Sequence, residues 1–290
     1  MIKVIACDMD GTLLNNNHTI SDYTKNAIKT ACEKGFRFMV VTGRNYDSAR
    51  HEIEESGLVC DFIVGSGAEV RNPSTEVVKR VSLEPEDCNF INTVMKELNV
   101  AGMYCTIGGN YIIGSREEVE NSILAYIRVT NPDGSIQELK NSKIYQQMWQ
   151  RIKEAASFEE LLAKEKRISK IFLGSEDEQK LMRARKVLEN NNRIAVSWSS
   201  ANNLEITDSK AQKGPVLKDY IESLGYTMDE VAVFGDSMND YSMMCMDFGA
   251  TIAMENADPE IKKIAKYVTA SNEEDGVAVA IHKMIDYYGV

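Results

Sequence analysis

The sequence predicts an α/β protein: a parallel-sheet core with a smaller α+β domain inserted into it. Three observations predict this. Short β-branched apolar runs alternate with helix-like stretches near the N-terminus. The middle of the chain mixes hairpin signals with helices. From about Asp208 the alternating pattern returns, and strands alternating with helices imply parallel pairing through right-handed crossovers. The expected domains are a core of residues 1–83 and 208–290 and an insertion of residues 84–207.

The elements follow in order. Ile2 to Cys7 reads as a buried strand that ends in Asp8 and Asp10. Ser21 can cap a helix with apolar positions Tyr23, Ala27, Ile28 and Ala31, and Gly35 can end it. Phe36 to Val41 is a second strand, broken by Thr42-Gly43-Arg44; Phe62 to Val64 is a third, broken by Gly65-Ser66-Gly67. Glu84 to Asn99 reads as a helix. Met103–Ile107 and Tyr111–Ile113 flank Gly108-Gly109-Asn110 as a hairpin. Ser115 and Glu118 form a capping-box pattern, and Asn131-Pro132-Asp133-Gly134 reads as a loop. Then come a helix at Phe158–Lys164, a strand at Lys170–Leu173, a helix at Glu176–Glu189, and strands near Ala195–Trp198 and Leu204–Ile206. Val231 to Phe234 breaks at Gly235-Asp236-Ser237-Met238-Asn239-Asp240, and Ala250 to Met254 breaks at Glu255-Asn256-Ala257.

Composition narrows the function. At 290 residues, 43% apolar and 27% charged, the chain can bury a sizeable core. A net charge of −11 argues against nucleic acid and acidic membrane surfaces as partners. Six scattered cysteines without a Cys-x-x-Cys pair suggest reduced thiols in a cytosolic protein. No apolar stretch is long enough for a signal peptide or a membrane span. His18, His51 and His282 lack metal-ligand spacing and read as surface residues.

The chemistry converges where strands end. In open α/β sheets, ligands bind outside the carboxyl ends of the strands. That gathers Asp8 and Asp10, Thr42-Gly43-Arg44, and Asp236 with Asn239 and Asp240 in one crevice. Carboxylates so close resist joint ionisation, and a hard divalent cation relieves them. Mg²⁺ suits such a site better than a calcium cage, and the scarcity of histidine argues against zinc or iron. Acidic residues around Mg²⁺ suit a phosphate ester. One carboxylate can attack phosphorus, and a second, two residues on, can supply a proton to the leaving oxygen. Lys213 can hold phosphoryl oxygens as a point charge, and Thr42 can donate a hydroxyl hydrogen bond. Arg44 reads equally well as a surface ion-pair partner and stays outside the predicted site.

Asp8-Met9-Asp10-Gly11-Thr12-Leu13-Leu14, Thr42-Gly43-Arg44, Lys213-Gly214 and Gly235-Asp236-Ser237-Met238-Asn239-Asp240 resemble the four ordered motifs of the haloacid-dehalogenase-like phosphatases. The first motif, the insertion, and the tails Ala253–Ala257 and Asn272–Val277 resemble the Cof-type, type IIB branch. The resemblance covers essentially the whole chain. It implies a Rossmann-like core with a C2B-type cap inserted after the third core strand. It implies Asp8 as nucleophile and Asp10 as general acid/base. Mg²⁺ would be held by the Asp8 carboxylate, the Asp10 main-chain carbonyl and the Asp236 carboxylate. The phosphoryl group would meet the Met9 backbone, Thr42, Gly43, Lys213 and Asn239, with Asp240 supporting the loop. Many members carry Asn-Gly-Ala where this chain has Ser66-Gly67-Ala68, which keeps a hydrogen-bonding group but loses the amide.

The expected activity is hydrolysis of a small phosphorylated metabolite such as a sugar phosphate. The alternatives are a phosphosugar mutase or phosphotransferase, and a non-catalytic metabolite-binding protein. The cap is expected to choose the substrate, with Tyr104, Tyr111, Arg116, Arg128 and Tyr145 as candidate contacts.

Overall fold

The computed structural model describes residues 1–288 except 107, 114–115, 129–133, 143–144, 147–148, 151, 166 and 176. The expected Ser115 cap, the Asn131–Gly134 loop, the strand end at Ile107 and the helix start at Glu176 fall on those exceptions. The chain divides into two compact units, Met1–Arg80 with Ala211–Val290, and Val81–Lys210.

The first unit begins with β1 (Val4–Cys7), α1 (Asp22–Glu33), β2 (Arg37–Val41), α2 (Tyr46–Ser56) and β3 (Asp61–Val64). Ser21 caps α1 by accepting from Thr24 N, as its sequence predicts. Ala27, Ile28 and Ala31 are buried, but Tyr23 is exposed and Thr24 takes its place on the buried face. Positions 24, 27, 28 and 31 complete the 3.6-residue stripe, and Tyr23 falls off it, beside His282. After β3, β4 (Glu69–Arg71) and β5 (Val77–Arg80) form an antiparallel hairpin that the sequence reading did not contain.

The second unit runs through α3 (Pro85–Leu98), β6 (Ala101–Thr106), β7 (Gly109–Ile113), α4 (Arg116–Arg128), α5 (Ile136–Asn141), β8 (Lys153–Ala155), α6 (Phe158–Lys164), β9 (Ile168–Gly174), α7 (Glu178–Leu188), β10 (Ile194–Ser197) and β11 (Asn203–Asp208). Its sheet has the order β10-β11-β9-β6-β7-β8. The pairs are antiparallel except β7 with β8. The predicted hairpin is β6–β7, closing at Thr106 opposite Gly109. Side chains alternate across β6: Tyr104 enters a core with Phe158 and Leu204, while Met103 and Cys105 enter another with Ile123 and Phe172. Tyr104, Tyr111 and Tyr145 are buried, with hydroxyls donating to Asn92, Glu165 and Glu120. These three candidate contacts therefore pack inside the unit; the Arg116 side chain lies outside the described residues.

The chain returns to the first unit with α8 (Lys213–Ser223), β12 (Val231–Gly235), α9 (Tyr241–Met244), β13 (Ala250–Ala253), α10 (Pro259–Ile264), β14 (Tyr267–Val268) and α11 (Gly276–Tyr288). Its sheet has the order β14-β13-β12-β1-β2-β3-β4-β5, parallel from β14 through β3. Every residue of β1, β3, β12 and β13 is buried, so helices cover both faces, as a parallel sheet requires. Arg37 holds the buried Asp61 with a two-point fork at 2.6 and 2.7 Å, and Tyr220 of α8 donates to Asp61 at 2.6 Å. From β1 the chain winds one way to β2 and β3; its later strands extend the other way from β12. The strand order thus reverses between β1 and β12, the position where open α/β sheets form their binding crevice. Among the described residues, no helix is long and apolar enough to cross a membrane.

Candidate active site

The site is built where β1 and β12 end side by side. Cys7 pairs with Phe234, and Asp8 N donates to Phe234 O at 3.1 Å, extending the ladder by one residue. Asp8 therefore leaves a rigid strand end and is 3% exposed. Asp236 sits two residues past Phe234, in the adjacent loop. Thr12 Oγ1 donates to Asp236 Oδ1 at 2.7 Å, tying the loop after β1 to the loop after β12. Gly11 lies between them at φ +76°, and a Cβ there would collide with the Asp236 carboxylate. Asn256 Nδ2 donates to Gly11 O at 2.7 Å. Asn272 N donates to Asn256 Oδ1, and Asn272 Nδ2 to Leu14 O. The two tail motifs thus buttress the loop that carries Asp10 and Gly11.

Lys213, the first residue of α8, supplies the counter-charge. Its side chain has no exposure, and Nζ donates to Asp8 Oδ1 at 2.7 Å, Asp240 Oδ1 at 2.6 Å and Asn239 Oδ1 at 3.3 Å. The start of α8 is seated by Gly67 at φ +103°, where a Cβ would lie 2.9 Å from the Gln212 backbone. Asp240 accepts Asp236 N at 2.9 Å and Ser237 N at 3.3 Å on Oδ2. Both Asp240 oxygens are thus committed, one to Lys213 and one to its own loop. Asn239 Oδ1 also accepts from Ser237 Oγ at 3.0 Å, and its Nδ2 donates to none of the described residues.

The carboxylates of Asp8, Asp236 and Asp240 place one oxygen each within 4.8 Å of one another. The sequence reading grouped Asp8, Asp10 and Asp236; the side-chain cluster contains Asp240, and the Asp10 carboxylate stands apart from it. Burial pushes Asp8 up to about 8, aided by Asp240 and opposed by Lys213. Burial, then Asp240 and Asp8, likewise raise Asp236. Burial would lower Lys213, but Asp240 and Asp8 outweigh it and raise it. The buried Asp8 and Asp240 and the half-buried Asp236, facing one ammonium, leave uncompensated negative charge made of hard oxygens. That donor set fits a divalent cation. Asp8 Oδ2 and Asp236 Oδ2 accept no hydrogen bond from the described residues, so these two side chains retain oxygens for a metal.

Asp10 has different partners. Arg44 Nε and Nη2 fork onto its two oxygens at 2.7 and 2.6 Å, and His18 Nδ1 lies 3.8 Å from Oδ1. Partial desolvation would raise its carboxyl, but His18 and Arg44 outweigh it and hold the group well below the usual carboxylate range. Thr42, buried at the end of β2, accepts Arg44 N on Oγ1 at 3.2 Å, so its hydroxyl proton remains to donate. Met9 is fully buried and its carbonyl accepts Thr12 N and Leu14 N, shaping the turn. Gly43 sits between Thr42 and Arg44 in the same turn. Thr12, Arg44 and His18 were missing from the predicted site. Thr12 stood inside the Asp-x-Asp-Gly-Thr motif, and Arg44 inside Thr-Gly-Arg, so each had a signal.

The haloacid dehalogenase-like hydrolase family model matches residues 5–281. Phosphatase YwpJ of Bacillus subtilis (strain 168) is 30% identical over 279 residues, covering 96% of this chain and 98% of that protein. The 5-amino-6-(5-phospho-D-ribitylamino)uracil phosphatase YcsE of the same organism is 27% identical over 284 residues, covering 98% and 96%. The solved structure of a haloacid dehalogenase-like hydrolase from B. subtilis superposes with a TM-score of 0.85 at 29% identity, covering 97% of this chain and 99% of that one. With a carboxylate cluster at the strand ends of a parallel sheet and a family match that spans nearly the whole chain, this protein belongs to the haloacid dehalogenase-like hydrolase family, in its Cof-type phosphatase branch.

Proposed function

We propose that this enzyme hydrolyses phosphate monoesters of small metabolites, with Mg²⁺ and through a phosphoaspartate on Asp8. The observation that carries this reading is the buried Lys213 ammonium bridging Asp8 and Asp240 beside Asp236, at the sheet's switch point. In this reading the Asp8 and Asp236 carboxylates and the Asp10 carbonyl would hold the cation, which when bound would supply neutralisation of phosphoryl charge.

The chain's own residues do the rest. An Asp8 carboxylate oxygen adds to phosphorus while the ester P–O bond breaks. The electron pair of that bond stays on the leaving oxygen, which takes a proton that Asp10, ionised at rest beside Arg44 and His18, has drawn from solvent. A water oxygen then adds to phosphorus, Asp10 takes the water's proton and returns it to solvent, and the acyl-phosphate P–O bond breaks. Asp8 is regenerated and inorganic phosphate leaves. Lys213, Thr42, Asn239, the Gly43 backbone and the Met9 backbone bind the phosphoryl oxygens. Donors placed this way contribute about 10²–10³ in rate each. Asp240 holds Lys213 and the Asp236 loop in place.

The substrate reading is a phosphorylated sugar or polyol, supported by the YcsE relative, whose name gives a phosphoribityl substrate. The unit Val81–Lys210 serves as the specificity domain. The test is turnover of p-nitrophenyl phosphate by the parent enzyme, with and without a chelator, and by Asp8→Asn. The expected result is activity that needs Mg²⁺ and is lost in the variant. Chelator-resistant turnover, or an active Asp8→Asn enzyme, overturns the mechanism.

A further inference from the structure

Asp10 is the one predicted catalytic carboxylate whose side chain stays outside the acidic cluster. It is half exposed, at 49%, whereas Arg44 is only 18% exposed. Arg44 is the better-anchored partner. Its Nη1 lies 3.5 Å from Glu52 on α2, and its carbonyl accepts Gly65 N at 2.8 Å. Its own N–H donates to Thr42 Oγ1. One residue therefore holds the Asp10 carboxylate with its side chain and orients the Thr42 hydroxyl with its backbone.

A half-exposed carboxyl samples several rotamers, and proton transfer demands a fixed approach. We infer that Arg44 is the positioning residue of the proton-transfer step, acting through its two-point hold on Asp10. The fork suits the task because one arm can open while the other keeps its oxygen. The freed oxygen takes a proton from solvent and gives it to the ester oxygen as the P–O bond breaks. The carboxylate that remains returns to both arms. A lysine provides the charge without the fork.

This inference rests on the acid role proposed for Asp10, so the experiment separates the two. Two esters are compared: phenyl phosphate, whose leaving oxygen needs a proton, and p-nitrophenyl phosphate, whose leaving group departs as a stable anion. Kinetics are measured for the parent, Arg44→Ala, Arg44→Lys, Asp10→Asn and the Arg44→Ala/Asp10→Asn pair, with urea midpoints to confirm folding. Arg44→Ala is expected to lower kcat on phenyl phosphate about 10-fold more than on p-nitrophenyl phosphate, with KM little changed. Arg44→Lys recovers part of that selectivity. In the Asp10→Asn background, Arg44→Ala adds no further selectivity, as expected of two residues acting as one unit. An equal loss on both esters, or no loss, in an enzyme whose Asp10→Asn variant is selective overturns the inference alone. An Asp10→Asn variant without leaving-group selectivity overturns the acid role and the inference with it.

Discussion

Lys213 and Asp240 meet at 2.6 Å with neither side chain exposed, and the other Asp240 oxygen holds the backbone of Asp236 and Ser237. The pair links the ammonium that also holds Asp8 to the loop that carries Asp236, the proposed metal ligand. Lys213→Met leaves two carboxylates buried without their counter-charge. A loss of about 3–5 kcal/mol follows from breaking a buried pair this way, read as a lowered urea midpoint. Turnover of p-nitrophenyl phosphate falls with it, by about 10² or more.

Gly11→Ala puts a Cβ at φ +76° against the Asp236 carboxylate. The backbone cost is on the order of 1–2 kcal/mol. The larger effect falls on Mg²⁺: the half-saturating concentration rises about 10-fold as Asp236 is displaced. Magnesium titration of activity and calorimetry of Mg²⁺ binding check this, and an unchanged metal dependence contradicts it.

Asp8 ties stability to pH. In metal-free enzyme its carboxyl is pushed up to about 8 by burial and Asp240, so the folded state binds this proton more tightly than the unfolded chain. Its stabilising contribution is complete below the ordinary carboxylate range and is lost as pH rises through about 8. Asp8→Asn carries no such proton. In chelator, the variant therefore gains stability relative to the parent between pH 5 and pH 9. Mg²⁺ narrows the gap by stabilising the parent. Urea unfolding at both pH values, with and without Mg²⁺, reads the difference directly.

The thiols divide by burial. Cys32 and Cys245 are exposed, whereas Cys7, Cys60, Cys88 and Cys105 are buried. Burial also pushes Cys88 up to about 12 and raises Cys7, Cys60 and Cys105. Native alkylation at pH 8 should label Cys32 and Cys245 first, and peptide mapping identifies them. Early labelling of Cys7 would show that the end of β1 opens without global unfolding.

The strands β1, β2, β3, β12 and β13 and the placing of Asp8 and Asp236 at strand ends were legible because each rests on a local signal: an apolar run, its break, and a charged group at the break; Lys213, at a helix start, was legible only through the motifs around it. Helix α1 was legible from Ser21 and Gly35 for the same reason. The β4–β5 hairpin was not, because Val77 and Val78 are both exposed and offer no period-two pattern. Its turn did leave a signal in Asn72-Pro73. Thr-Gly-Arg marked the place of Arg44 but not its partner, because an arginine beside a glycine pairs with whichever carboxylate the fold delivers, and Asp10 lies 34 residues away. Tyr104 and Tyr145 read as ligand contacts because an aromatic with a hydroxyl suits both a pocket and a core. Only the packing separates the two.

The pairing of Val4 with Val231 has a consequence for biosynthesis. On the ribosome, β1, β2 and β3 emerge before β12, so one side of β1 has no partner until β12 is made. The whole unit Val81–Lys210 is synthesised in between. Throughout that interval a buried-type strand edge stands open, the kind of edge that invites aggregation. The carboxylates of Asp8 and Asp236 come together only after β12 has been made and paired with β1.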